Sequence, residues 1–158
     1  MQLPDLSPET PDPSAAHHAI GYVPGGWDMF HIGHLNLLRH ARPFVDRLVV
    51  GVVTDEALFE AKGRFPVVPL DERLAIVESI GIVDEVVIDH SSHKIEVWKL
   101  VGFDVIFKGT DWQGTPKGDR LEADMASIGV EVHYLPYTPD TSSSHLRRVI
   151  AERRGHLG

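Results

Sequence analysis

The stretch Gly25-Gly26-Trp27-Asp28-Met29-Phe30-His31-Ile32-Gly33-His34 decides the fold. The apolar run Ala19-Ile20-Gly21-Tyr22-Val23 precedes it, and Ile32, Leu35, Leu38 and Ala41 follow at helical spacing. The order is strand, glycine turn, helix start. His31 and His34 fall on one face of the first helical turn. Unbonded backbone N–H groups and the positive end of the helix dipole lie at the same place. That combination suits an anion, with phosphate the obvious one.

Working outward, apolar runs alternate with helical segments. Strands are expected at Asp46–Val53, Asp84–Ile88, Asp104–Phe107 and Val130–Leu135. Helices are expected at Glu72–Ile80, with Asp71 as N-cap, and at Lys94–Val101, Gly118–Ile128 and Ser142–Arg154. Five short apolar strands separated by helices predict an α/β fold: a Rossmann-like, doubly wound, five-stranded parallel sheet in a single domain over residues 19–158. Residues 1–18, with Pro4, Pro8, Pro11 and Pro13, read as a disordered Pro-rich tail, and His17 and His18 as a solvated linker at its end.

The bulk properties exclude several classes. A net charge of -8 with no basic stripe argues against nucleic acid and membrane surfaces as partners. The chain contains no cysteine, which removes disulfides, thiolate zinc sites and a cysteine nucleophile. No run approaches a membrane span and no signal pattern opens the chain, so a cytoplasmic location is expected. An anionic substrate must then be captured by local residues.

In open α/β sheets ligands bind beyond the carboxyl ends of the strands. Here those ends are polar: Gly25, Gly26 and Asp28; Thr54-Asp55; Lys108-Gly109-Thr110-Asp111-Trp112; and Tyr137-Thr138 leading into Thr141-Ser142-Ser143-Ser144. Neither a G-x-G-x-x-G nor a G-x-x-x-x-G-K-S/T follows the first strand. The His-x-Gly-His element stands in their place.

Those residues resemble the G-x-F-D-x-x-H-x-G-H signature of the cytidylyltransferase family. The resemblance continues through Thr54-Asp55-Glu56, Lys62-Gly63, Pro66-Val67, Glu72-Arg73 and Val83-Asp84-Glu85-Val86, over about residues 20–150. Gly109-Thr110-Asp111-Trp112-Gln113-Gly114 is similar to the G-D-D-W-E-G of glycerol-3-phosphate cytidylyltransferases. One motif departs: where the family has R-T-x-G-I-S-T-T/S, this chain has Tyr137-Thr138-Pro139-Asp140-Thr141-Ser142-Ser143-Ser144. Arg147 or Arg148 either stands in for the missing arginine or belongs to a solvated basic face.

The resemblance implies transfer of CMP from CTP to a small phosphate monoester, with Mg²⁺ as cofactor and a homodimer as the assembly. Glycerol 3-phosphate is the favoured acceptor, and phosphoethanolamine and phosphocholine are alternatives. It implies catalytic roles for His31, His34 and Lys62, the last on a mobile Gly-flanked loop. Nucleotide-binding roles would fall to Gly25, Gly26, Trp27, Gly33, His34, Asp111, Thr138, Ser142 and Ser143, with Asp111 also a metal ligand. Asp28, Asp55, Arg73 and Trp112 would bind substrate, although Trp112 equally fits core packing. Two other readings stay open: AMP transfer from ATP, and a non-catalytic nucleotide-binding module.

Overall fold

Strand β1 (His18–Gly25) lies at the centre of a parallel sheet, in a computed structural model that describes residues 14–136 and 142–155. It is followed by α1 (Ile32–Ala41), β2 (Val45–Val53), α2 (Asp55–Lys62), α3 (Leu70–Glu78), β3 (Glu85–Asp89), α4 (Lys94–Val101), β4 (Val105–Gly109), α5 (Pro116–Ser127), β5 (Glu131–Leu135) and α6 (Ser143–Gly155). The sheet order is β3-β2-β1-β4-β5, and every pairing is parallel. The chain runs outward from β1 to β3, then returns to the other side of β1. That reversal places a topological switch point between β1 and β4, where a crevice opens at the carboxyl edge.

Both sheet faces are covered. Val23, Val50, Val52, Val105 and Phe107 pack with Leu38 of α1 and Val77 of α3. Tyr22, Val49 and Ile106 pack on the other side with Val97 of α4 and with Leu121 and Met125 of α5. Neighbours such as Val49 and Val50 thus face opposite layers, the two-residue period of a strand buried on both sides. No helix among the described residues is long and apolar enough to cross a membrane.

One close approach sets a buried polar group. A Cβ at Gly51 would lie 1.9 Å from the Tyr22 hydroxyl, so only glycine lets that hydroxyl pass. The hydroxyl donates to Asp89 at 2.7 Å, and Lys94 donates to the same carboxylate oxygen at 2.6 Å. Asp89 is 1% exposed, and its charge is tolerable because both partners satisfy it.

Three local expectations change. Residues 55–62 form a helix that the sequence reading lacks. Thr54 caps it by accepting the Ala57 N–H at 3.2 Å, and Gly63 closes it at φ 70°. Lys62 is therefore the last residue of a helix, not part of a glycine-flanked loop. The cap of α3 is Pro69, not Asp71, which sits inside the first turn where its charge meets the helix dipole. His18 belongs to β1, where it pairs in register with Val45 of β2 and its ring lies 3.2 Å from the Glu131 carboxylate. His17 reaches Asp46 at 2.7 Å. Most of the expected tail, residues 1–13, lies outside the described residues.

Candidate active site

The turn between β1 and α1 is strained. Trp27 and Met29 adopt positive φ of 57° and 51°, where non-glycine residues are uncommon. Side chains hold the turn in place. The Trp27 indole is 2% exposed and donates to the Gly51 carbonyl at 2.9 Å. A Cβ at Gly25 would meet that ring at 2.9 Å, and one at Gly26 would meet Leu58 at 3.2 Å. Gly25 and Trp27, expected to contact nucleotide, also build the turn: the missing Cβ of Gly25 leaves room for the Trp27 ring.

His31 is the N-cap of α1 and His34 the third helical residue, in a reciprocal capping arrangement made of imidazoles. His31 Nδ1 accepts the Gly33 N–H at 3.0 Å, and His34 Nδ1 accepts the His31 N–H at 3.3 Å. Each Nδ1 is thus an acceptor, which puts each ring proton on Nε2. The rings stack with centroids 3.8 Å apart. Burial holds His31 below its ordinary pKa. Burial and the neighbouring His31 push His34 down to about 3. The pair is neutral near pH 7 and offers two fixed N–H donors.

That depression has a consequence for stability. A His whose folded pKa lies below its unfolded value opposes proton uptake by the native state. Its contribution is complete above the unfolded value of about 6.5 and is lost as pH falls toward 3. Urea unfolding at pH 7.5 and pH 5 should therefore show lower stability at pH 5, by roughly 1 kcal/mol or more. His34→Gln should flatten that dependence.

Asp28 links three segments. Its carboxylate accepts the N–H groups of Val67 and Val68, both at 2.9 Å, and pairs with Arg147 of α6. Burial pushes this carboxyl up, but the two N–H donors and the guanidinium together hold it below the usual carboxylate range. The Asp28 carbonyl accepts the Ser143 hydroxyl at 2.6 Å, which leaves that hydroxyl 3.5 Å from His31 Nε2. Ser142 caps α6 by accepting the His145 N–H at 3.1 Å. The sequence placed Asp28 on substrate; the structure gives its carboxylate to the scaffold.

His34, Lys62, Arg64, Ser143 and Arg147 line one cleft with Asp28 and Gly26. Burial, together with Arg64, Arg147 and Lys117, pulls the Lys62 amine below its ordinary value. Cations this mutually repulsive, in a protein of net charge -8, call for a polyanion. Arg147 enters the cleft, whereas Arg148 faces outward and lies 2.9 Å from His145. Of the two arginines, Arg147 alone lines the cleft. Arg64 and Lys117 were not singled out from the sequence; the sole hint was that Arg64 follows Lys62-Gly63.

Arg73 overturns its expectation. It is 0% exposed and donates to the carbonyls of Val68 at 2.9 Å, Gly26 at 2.6 Å and Val53 at 2.8 Å, and to Asp55 at 2.5 Å. With four bonds made internally, Arg73 ties α3 to the glycine turn and to Asp55 and does not face substrate, whereas the Asp55 side chain stays 31% exposed. Asp111 is exposed, and Trp112 is half-buried with the Lys108 ammonium 3.8 Å from its ring centre. Thr138 and Tyr137 lie outside the described residues. Among the described residues no group of three or more carboxylates and imidazoles forms a metal cage.

A nucleotide-type crevice, a tautomer-locked His pair at a helix start and a ring of cations define a nucleotidyltransferase-like site. The chain belongs to the cytidylyltransferase-like family, whose family model matches residues 22–149. The ethanolamine-phosphate cytidylyltransferase of Arabidopsis thaliana is 52% identical over 68 residues, 43% of this chain but only 16% of that protein. An FAD synthase from Thermococcus sibiricus is 32% identical over 83% of this chain and 90% of that one. In fold, a lipopolysaccharide core biosynthesis protein from Thermoplasma volcanium superposes with a TM-score of 0.65 at 24% identity, over 77% of this chain and 99% of that one.

Proposed function

We propose that the protein transfers a nucleoside monophosphate from a nucleoside triphosphate to a small phosphate monoester, releasing pyrophosphate, with CTP as donor and glycerol 3-phosphate as acceptor. The observation that carries this is neutral His34, stacked on His31 and lining one cleft with Lys62, Arg64 and Arg147. A phosphate oxygen of the acceptor attacks the α-phosphorus in line, and the bond to the β-phosphate breaks. That oxygen is already anionic near pH 7, so positioning and charge neutralisation do the work. The Nε2–H groups of His31 and His34 donate to phosphate oxygens as charge develops. Lys62, at the end of α2, neutralises the reacting phosphates. The N-terminus of α6, with Ser143 and Arg147, cradles the β- and γ-phosphates. Mg²⁺ would be carried mainly by the triphosphate's own oxygens, with Asp111, exposed just after β4, as the one carboxylate that would hold it, and it would supply charge neutralisation.

The Gly109–Gly114 stretch favours glycerol 3-phosphate over a quaternary amine, which calls for an aromatic cage. A second reading, adenylyl transfer, is favoured by the likeness to a protein named for making flavin adenine dinucleotide across 90% of its length. One assay decides: Mg²⁺ with CTP or ATP, each against a panel of phosphate monoesters including FMN, scored by pyrophosphate release. CTP with glycerol 3-phosphate should be the most active pair. Release with ATP alone overturns the donor assignment, and no release with any pair overturns transfer altogether.

A further inference from the structure

Beyond the His-lined cleft, one cation at the carboxyl edge is left unsatisfied by its surroundings. Lys108 is the fourth residue of β4. Tyr22 and Ile106 are register partners buried in the same layer, and the two-residue strand period puts Lys108 on that face, the side of α4 and α5. His31 and His34 sit on the opposite side, on α1. The buried carboxylate nearest in kind, Asp89, is already engaged by Tyr22 and Lys94. Among the described residues the Lys108 ammonium has neither hydrogen bond nor ion pair. It sits over the Trp112 ring, 3.8 Å from the ring centre. Burial and the charges of Lys94 and Lys62, only partly offset by Asp89 and Asp111, bring its pKa down to about 7.

In-line transfer needs its two anions held on opposite sides of the α-phosphorus. The triphosphate takes the α1 side, with the His pair, the α6 N-terminus and Arg147. The incoming phosphate must then be met from the far side of the crevice between β1 and β4. Lys62 lines the His-side cleft and is close enough for its charge to lower the Lys108 pKa, which brings Lys108 within reach of that cleft.

We infer that Lys108 is the contact residue for the acceptor's phosphate: its ammonium, seated on the Trp112 ring, binds the phosphate monoester on the α4–α5 side of the crevice. This rests on the transfer reading above. A phosphate dianion supplies the partner that Asp89 cannot, and the indole face keeps the amine aimed while the site is empty.

The test compares wild type with Lys108→Gln and Lys108→Arg, using the donor–acceptor pair most active in the pyrophosphate assay. Lys108→Gln should raise the acceptor KM about tenfold or more, the scale of one charge-assisted hydrogen bond, with the donor KM changed less than about twofold. Lys108→Arg should recover most of the loss. Because the glutamine removes a cation that repels Lys94 and Lys62, its thermal midpoint should equal or exceed that of wild type. A raised donor KM instead, unchanged values for both substrates, or a lowered midpoint would each overturn the inference. If wild type releases no pyrophosphate with any pair, the transfer reading fails on its own. Phosphorus NMR of glycerol 3-phosphate binding then still reads Lys108: binding by wild type and Lys108→Arg but not by Lys108→Gln supports the contact, and any other pattern removes it.

Discussion

His34→Ala is expected to lower turnover at least about a hundredfold, the scale for losing one preorganised transition-state donor. The alanine removes the Nε2–H and also the acceptor that receives the His31 N–H. Stability should therefore fall as well, by about 0.5–2 kcal/mol for the lost cap, and a second variant is needed to separate the two effects. Glutamine at the third helical position is the ordinary partner in a capping box, since its amide oxygen reaches back to the cap N–H. His34→Gln should recover much of the stability without recovering turnover, because its amide cannot place a donor where Nε2 stood. A steady-state rate within a few-fold of wild type in either variant would make the His pair a structural cap alone.

Arg73→Leu is expected to be the most destabilising of the simple substitutions. It would leave the carbonyls of Gly26, Val53 and Val68 without this donor and Asp55 without its cation. Breaking a buried pair by removing one partner costs about 3–5 kcal/mol, which for a chain of this size lowers the thermal midpoint by roughly 10 °C. Arg73→Lys should fail nearly as badly, since an ammonium lacks the planar fork that reaches four acceptors. Had Arg73 gripped the acceptor, as its motif position implies, the midpoint would hold and only KM would rise. Thermal unfolding alone therefore distinguishes scaffold from substrate contact.

The strands were legible because each carries a short apolar run, densest in β2 where Leu48 to Val52 is buried without a break, and α1 because its apolar residues recur at helical spacing. Helix α2 was not. Only Ala57 and Leu58 are buried within it, and Phe59 is 44% exposed, so almost no apolar period marks it. The His pair was readable from type and spacing. Its tautomers were not, because they depend on which backbone N–H each Nδ1 accepts. Arg73 and Asp28 were assigned to ligand because their burial comes from partners far along the chain, Gly26 for one and Val67 and Val68 for the other. Arg147 and Lys108 needed the fold itself, since only the β1–β4 switch and the docking of α6 show which cations meet.

The central place of β1 has a practical consequence for labelling and immobilisation. Its eight residues run from the amino edge at His18 to the glycine turn at Gly25, a span of about 26 Å. A dye, tag or surface linker attached ahead of His18 would join the fold at the rim facing away from the crevice. The other route differs: α6 starts at Ser143 against the His pair and carries its thirteen residues about 20 Å from there. A probe near its far end would report on that helix's docking, while one at its first turn would block the cleft.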